Sequence, residues 1–101
     1  MTLFVAGQIM TQPQEELSGS TAMLSCGRDP LEPVQWTFQA SPASVVKSIK
    51  FAEGLHIHGS SLYIRHVGAS DSGCYNCIDA ADELHHRIQL TVIGKLYKLF
   101  F

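Results

Sequence analysis

With 101 residues, 46% hydrophobic and 16% charged, the chain is long enough for one packed core and too short for two. A formal net charge of −2 excludes the concentrated basic surface that a phosphate backbone demands, so nucleic acid is not an expected partner. No apolar run reaches the about 18 residues that a membrane-spanning helix needs, and Met1–Gly7 lacks the length and basic lead of a secretion signal.

Leu3 to Ile9 reads as a first strand, with Pro13 restricting any pairing nearby to a sheet edge. Ser18-Gly19-Ser20 turns the chain into Thr21–Cys26, where Ala22, Leu24 and Cys26 share an inner face. Gly27 to Pro33 carries Asp29-Pro30 and a second proline, the composition of a loop. Val34 to Gln39 alternates cleanly, with Val34, Trp36 and Phe38 inward and Gln35, Thr37 and Gln39 outward. After a turn at Ala40–Ser44, Val45 to Phe51 is a weaker strand of edge type.

Leu55 to His58 is short and puts Leu55 and Ile57 inside; Gly59-Ser60-Ser61 then turns into Leu62–Ile64. Leu62, Ile64 and Val67 lead into Asp71-Ser72-Gly73, a tight turn. Its Asp can accept local backbone bonds and its Gly tolerates positive φ. In the strand that follows, Tyr75 and Cys77 share one face, and Cys74, Asn76 and Ile78 take the other. Asp79 to Glu83 is the polar tip of a hairpin. His86 to Ile93 returns with Ile88, Leu90 and Val92 on one side and Arg87, Gln89 and Thr91 on the other. The expected organisation is one domain over residues 1–94 and an apolar tail over 95–101. The tail should be ordered by contact with Leu3–Val5, a second copy or a following domain.

Short alternating strands, regular turns and no helical period define an all-β, antiparallel, two-sheet sandwich. Cys26, then Trp36, then Asp71-x-Gly73 leading into Tyr75-x-Cys77, resembles the immunoglobulin superfamily over roughly Gln12 to Ile93. The distance between Cys26 and Cys77 is similar to that of its intermediate and C2 sets. The resemblance implies a Greek-key sandwich, with Tyr75 bonded back to the preceding loop. It also implies that Asp71 pairs with a basic residue, where this chain offers Lys50 rather than arginine. Three cysteines allow three pairings, but alternation points Cys74 and Cys77 to opposite faces. On the resemblance the bridge is Cys26–Cys77, with Trp36 packed on it, and Cys74 is left as a candidate free thiol. Such a bridge implies an oxidising compartment.

Chemistry-bearing groups are sparse. His56 and His58 share a face and His85 and His86 are adjacent, yet no cysteine or carboxylate is spaced with them, so neither metal nor cofactor is expected. Nothing marks a nucleophile elbow or a buried base, and the expected role is non-catalytic. The only asparagine, Asn76, begins no glycosylation sequon. The chain is similar to the immunoglobulin domains of semaphorins and of cytokine or growth-factor receptors. That likeness implies an extracellular recognition module that binds a protein ligand or receptor through its outer sheet face or loops. Alternation assigns that face Gln35, Thr37, Gln39, Asn76, Ile78, Arg87, Gln89 and Thr91, with Cys74 among them. Homodimers through Cys74 or the tail are a further expectation. The alternative is a spacer domain of a multi-domain chain, including the intracellular intermediate-set domains of muscle proteins.

Overall fold

Period-2 alternation sorts the strands into two sheets whose apolar faces meet. The computed structural model describes residues 11–26, 34–49, 55–78 and 84–94. One sheet has five strands in the order β1-β8-β7-β3-β4, built from Thr11–Leu17, Leu84–Ile93, Gly73–Ile78, Gln35–Gln39 and Lys47–Ser48. The other has three, in the order β2-β6-β5, from Ala22–Ser25, Ser61–Ile64 and Leu55–His58. Between them lie the side chains that the alternation turned inward: Ala22, Leu24, Trp36, Leu62, Ile64, Tyr75, Ile88 and Leu90 are buried, and Val67 caps the set. Phe38, Leu55, Ile57 and Val92 pack against this core from its margins.

Cys26 and Cys77 form a disulfide with a Cα–Cα distance of 5.8 Å, joining the end of β2 in the small sheet to β7 at the centre of the large one. Trp36 is the ladder partner of Cys77 on the neighbouring strand, so the indole enters the core beside the bridge.

Three expectations need correction. The sandwich is not wholly antiparallel, because β1 runs parallel to β8, from Thr11↔Arg87 to Leu17↔Ile93. Of the strand expected over Val45 to Phe51, the described residues 45–49 keep only Lys47–Ser48, which pairs with Phe38 and Thr37. Val45 and Val46 are exposed and, among the described residues, take part in no ladder. Ile78, expected as an exposed aliphatic, is half-buried, as Cys74 and Asn76 are along the same side of β7, the central strand of the sheet. The expected strand Leu3–Ile9, Lys50, the hairpin tip Asp79–Glu83 and the tail 95–101 lie outside the described residues.

Candidate functional site

The corner leading into β7 determines how the large sheet is held. Ala69–Asp71 form one 3-10 turn, and the Asp71 carboxylate accepts from the Gly68 N–H at 2.8 Å. The Tyr75 hydroxyl donates to the Asp71 carbonyl at 2.6 Å, tying the strand to the turn that feeds it. Burial, helped by the nearby Asp71 carboxylate, holds the Tyr75 phenol well above its ordinary range, so it stays protonated and donating. Its ring lies against Phe38 with centroids 4.8 Å apart. Gly73 has φ +153°, and a Cβ there would come within 2.8 Å of the Gln39 carbonyl and 2.7 Å of the Phe38 ring. Glycine therefore lets β7 press against the end of β3. Ser72, which carries no signal in the sequence, accepts from the Val92 N–H at 2.9 Å and ties the corner to β8.

With the inner face fixed, the outer face of the large sheet follows from register. One row crosses all five strands: Thr11, Arg87, Asn76, Thr37 and Ser48. The next holds Pro13, Gln89, Cys74 and Gln39. Glu15 pairs with Thr91, and Leu17 with Ile93, further along β1 and β8. Gln35 lies opposite Ile78 at the other end. The structure thus brings the sequence-derived face residues onto one continuous surface. It adds Thr11, Pro13, Glu15 and Leu17, which sequence reasoning missed because Thr11–Leu17 shows no apolar alternation.

Side chains on this face are linked. Arg87 Nε donates to Asn76 Oδ1 at 3.0 Å, and Asn76 Nδ2 donates to Thr37 Oγ1 at 3.3 Å. Cys74 is unbridged and half-buried, 3.8 Å from the same Asn76 oxygen. Above these residues the turn after β3 rises as a wall and leaves an open depression of about 430 Å³, with Arg87, Asn76, Cys74 and Gln89 along its floor. At the far end Leu17 and Ile93 are 54% and 37% exposed, an apolar pair at the margin of a mostly polar surface.

Among the described side chains the histidines do not converge. His56 and His58 stack on the exposed side of β5 with ring centroids 6.2 Å apart, whereas His86 lies on the other sheet and contacts Gln12 Oε1 at 2.6 Å. Among the described residues no three histidine, cysteine or carboxylate side chains are grouped as a metal site. The Trp36 indole N–H is buried and has no partner among them either.

This arrangement, two bridged sheets with a tyrosine-tied corner, is the immunoglobulin fold. No family model matches the chain. Among solved structures it is similar to the N-terminal four immunoglobulin domains of Dscam1 isoform 8.4. The TM-score there is 0.72 and the identity 16%, over 87% of this chain and 24% of that one. Dscam1 isoform 7.44 gives a TM-score of 0.73 at 18% identity, over 85% of this chain and 23% of that one. Drosophila Semaphorin 2a gives 0.72 at 20% identity, over 86% of this chain and 15% of that one. The chain therefore spans less than a quarter of the length of each of these three chains. At these identities the likeness shows the fold.

Proposed function

We propose that the chain is a non-catalytic recognition domain that binds another protein through the outer face of its five-stranded sheet. The observation that carries this reading is the face itself. It is continuous across five strands, neutral among the described residues but for Arg87 and Glu15, and internally hydrogen-bonded from Arg87 to Thr37. A pre-ordered face with few charges loses little side-chain entropy or desolvation energy on contact. The similar structures are longer chains, the two Dscam1 ones of four immunoglobulin domains, which supports a single module within a longer protein. The Cys26–Cys77 bridge supports an extracellular location, because such bonds persist in oxidising compartments.

The test is affinity for a partner captured from cell-surface extracts. Ile78→Asp and Arg87→Glu should each weaken binding at least tenfold without loss of folding. Unchanged affinity for both variants would exclude this face. The spacer reading predicts no partner for the isolated domain at all.

A further inference from the structure

We infer that Arg87 is the docking point for a carboxylate of a protein partner, an aspartate or glutamate side chain that enters the depression beside the turn after β3. The inference rests on the reading of this face as the interaction surface. It commits that reading to one kind of contact.

Arg87 is half-buried, and only its Nε is engaged, by the neutral Asn76 amide oxygen at 3.0 Å. Its two terminal nitrogens have no hydrogen-bond or ion-pair partner among the described residues. A guanidinium partly withdrawn from water without a counter-ion is a group whose charge an incoming anion would satisfy. Neighbouring strands supply none. Its row mates Thr11, Asn76, Thr37 and Ser48 are neutral, as are Gln89 and Cys74 in the next row. The one carboxylate that the described strands place on this face is Glu15, four positions from Thr11 on β1, or about 13 Å at strand rise. That distance exceeds the screening length of about 8 Å at physiological salt.

The site is also built beforehand. Asn76, itself tied to Thr37, fixes the guanidinium plane through Nε and leaves the terminal edge free for two parallel N–H···O bonds. The wall does not depend on a partner for its shape. Gln39 Nε2 donates to the Ser44 carbonyl at 2.8 Å, the Ser44 N–H donates to the Ser41 carbonyl at 2.9 Å, and the two serine hydroxyls lie 2.9 Å apart. A volume of about 430 Å³ admits an acidic side chain with part of its backbone.

The chemistry favours a protein carboxylate over the other anions. A guanidinium with no second cation beside it among the described residues matches one carboxylate, whereas phosphate recognition gathers several positive charges or backbone N–H groups. Among the described residues no aromatic side chain lines the depression to stack on a sugar ring.

The experiment titrates the ¹⁵N-labelled, disulfide-intact domain with acetyl-Gly-Glu-Gly-amide, following the Arg87 Nε–H and Asn76 side-chain signals by NMR. The glutamine tripeptide and N-acetylneuraminic acid serve as comparison probes. Saturable shifts of both signals are expected with the glutamate peptide alone. Arg87→Gln should abolish saturation, and Arg87→Lys, which keeps the charge but loses the fork, should weaken it several-fold. Equal shifts with the glutamine peptide, persistence in Arg87→Gln, or no saturation in the tens of millimolar would overturn the proposal. Saturation by the sugar acid alone would overturn the protein source. The two readings fail separately: a captured partner that loses affinity with Ile78→Asp but not with Arg87→Gln keeps the face and removes the carboxylate.

Discussion

Gly73 shows how much one position can set. Its φ of +153° and the 2.8 Å that would separate a Cβ there from the Gln39 carbonyl are distinct reasons why no other side chain fits. Gly73→Ala should therefore cost about 2–3 kcal/mol, from overpacking added to backbone strain. Chemical denaturation under oxidising conditions measures it, and a loss below about 0.5 kcal/mol would mean that β7 can retreat from β3 at little cost. Tyr75 sits two residues on and makes a different kind of contact. Tyr75→Phe removes a donor from the Asp71 carbonyl and should cost about 1–2 kcal/mol. Because the folded-state phenol titrates above its unfolded value of about 10, its contribution is complete below that pH. It is lost as the pH climbs from there toward the folded value. Wild type should lose stability over that alkaline window and Tyr75→Phe should lose less; parallel pH profiles would contradict the role given to the hydroxyl. At this scale the sequence is informative where a residue's chemistry is special. Asp71, Gly73 and Tyr75 can be read directly, but nothing about Ser72 or the turn at Ala40–Pro42 distinguishes them from any other polar loop.

For the elements, alternation indicates which face a side chain takes but not which way the neighbouring strand runs. The inward sets of β2, β3, β6, β7 and β8 are all legible for that reason. The parallel pairing of β1 with β8 is not, since parallel and antiparallel ladders share the same side-chain period. β1 is hidden for a second reason: its half-buried positions are Gln14 and Glu16 rather than apolar residues. Gln14 Nε2 donates to the Met23 carbonyl at 3.1 Å and to Glu16 at 3.0 Å, so a polar bridge does there what a buried leucine would do in a central strand. β8 outlasts its partner, because the β7 ladder ends at Gly73↔Leu90 and leaves Val92 beyond it. The Ser72 hydroxyl takes over as acceptor for the Val92 N–H. Ser72→Ala should cost about 1 kcal/mol and selectively speed hydrogen exchange at the Val92 amide. Uniform acceleration along β8, or none, would show that the hydroxyl is not what closes the strand.

The whole molecule is a small sandwich in which the β1–β8, β2–β6 and β3–β7 pairs are distant in sequence, and such pairings give up much chain entropy before they return any contact energy. Among the described residues its largest fully buried side chains are Trp36, Leu24, Leu62, Ile88, Leu90 and Val67, with Cys77 of the bridge beside them. The Cys26–Cys77 bridge offsets part of that entropy by closing a separation of 51 residues, worth about 4 kcal/mol in the chain-entropy model. Replacing both cysteines by alanine should cost about 2–5 kcal/mol, a large share of what a domain of this size has to spare. The same bridge makes a prediction about where the protein lives. Mapped by differential alkylation of protein recovered from its native source and denatured without reductant, Cys74 alone of these three cysteines should be labelled at first, and Cys26 and Cys77 only after reduction. In the folded state Cys74 should react more slowly than a free thiol, since it is half-buried in the floor of the depression. Three thiols before reduction would mean that the bridge does not form where the protein resides. The extracellular reading would then fall and the intracellular spacer would take its place. One thiol that a bound partner shields from the reagent, and that Cys74→Ser removes, would tie the compartment and the recognition face to a single measurement.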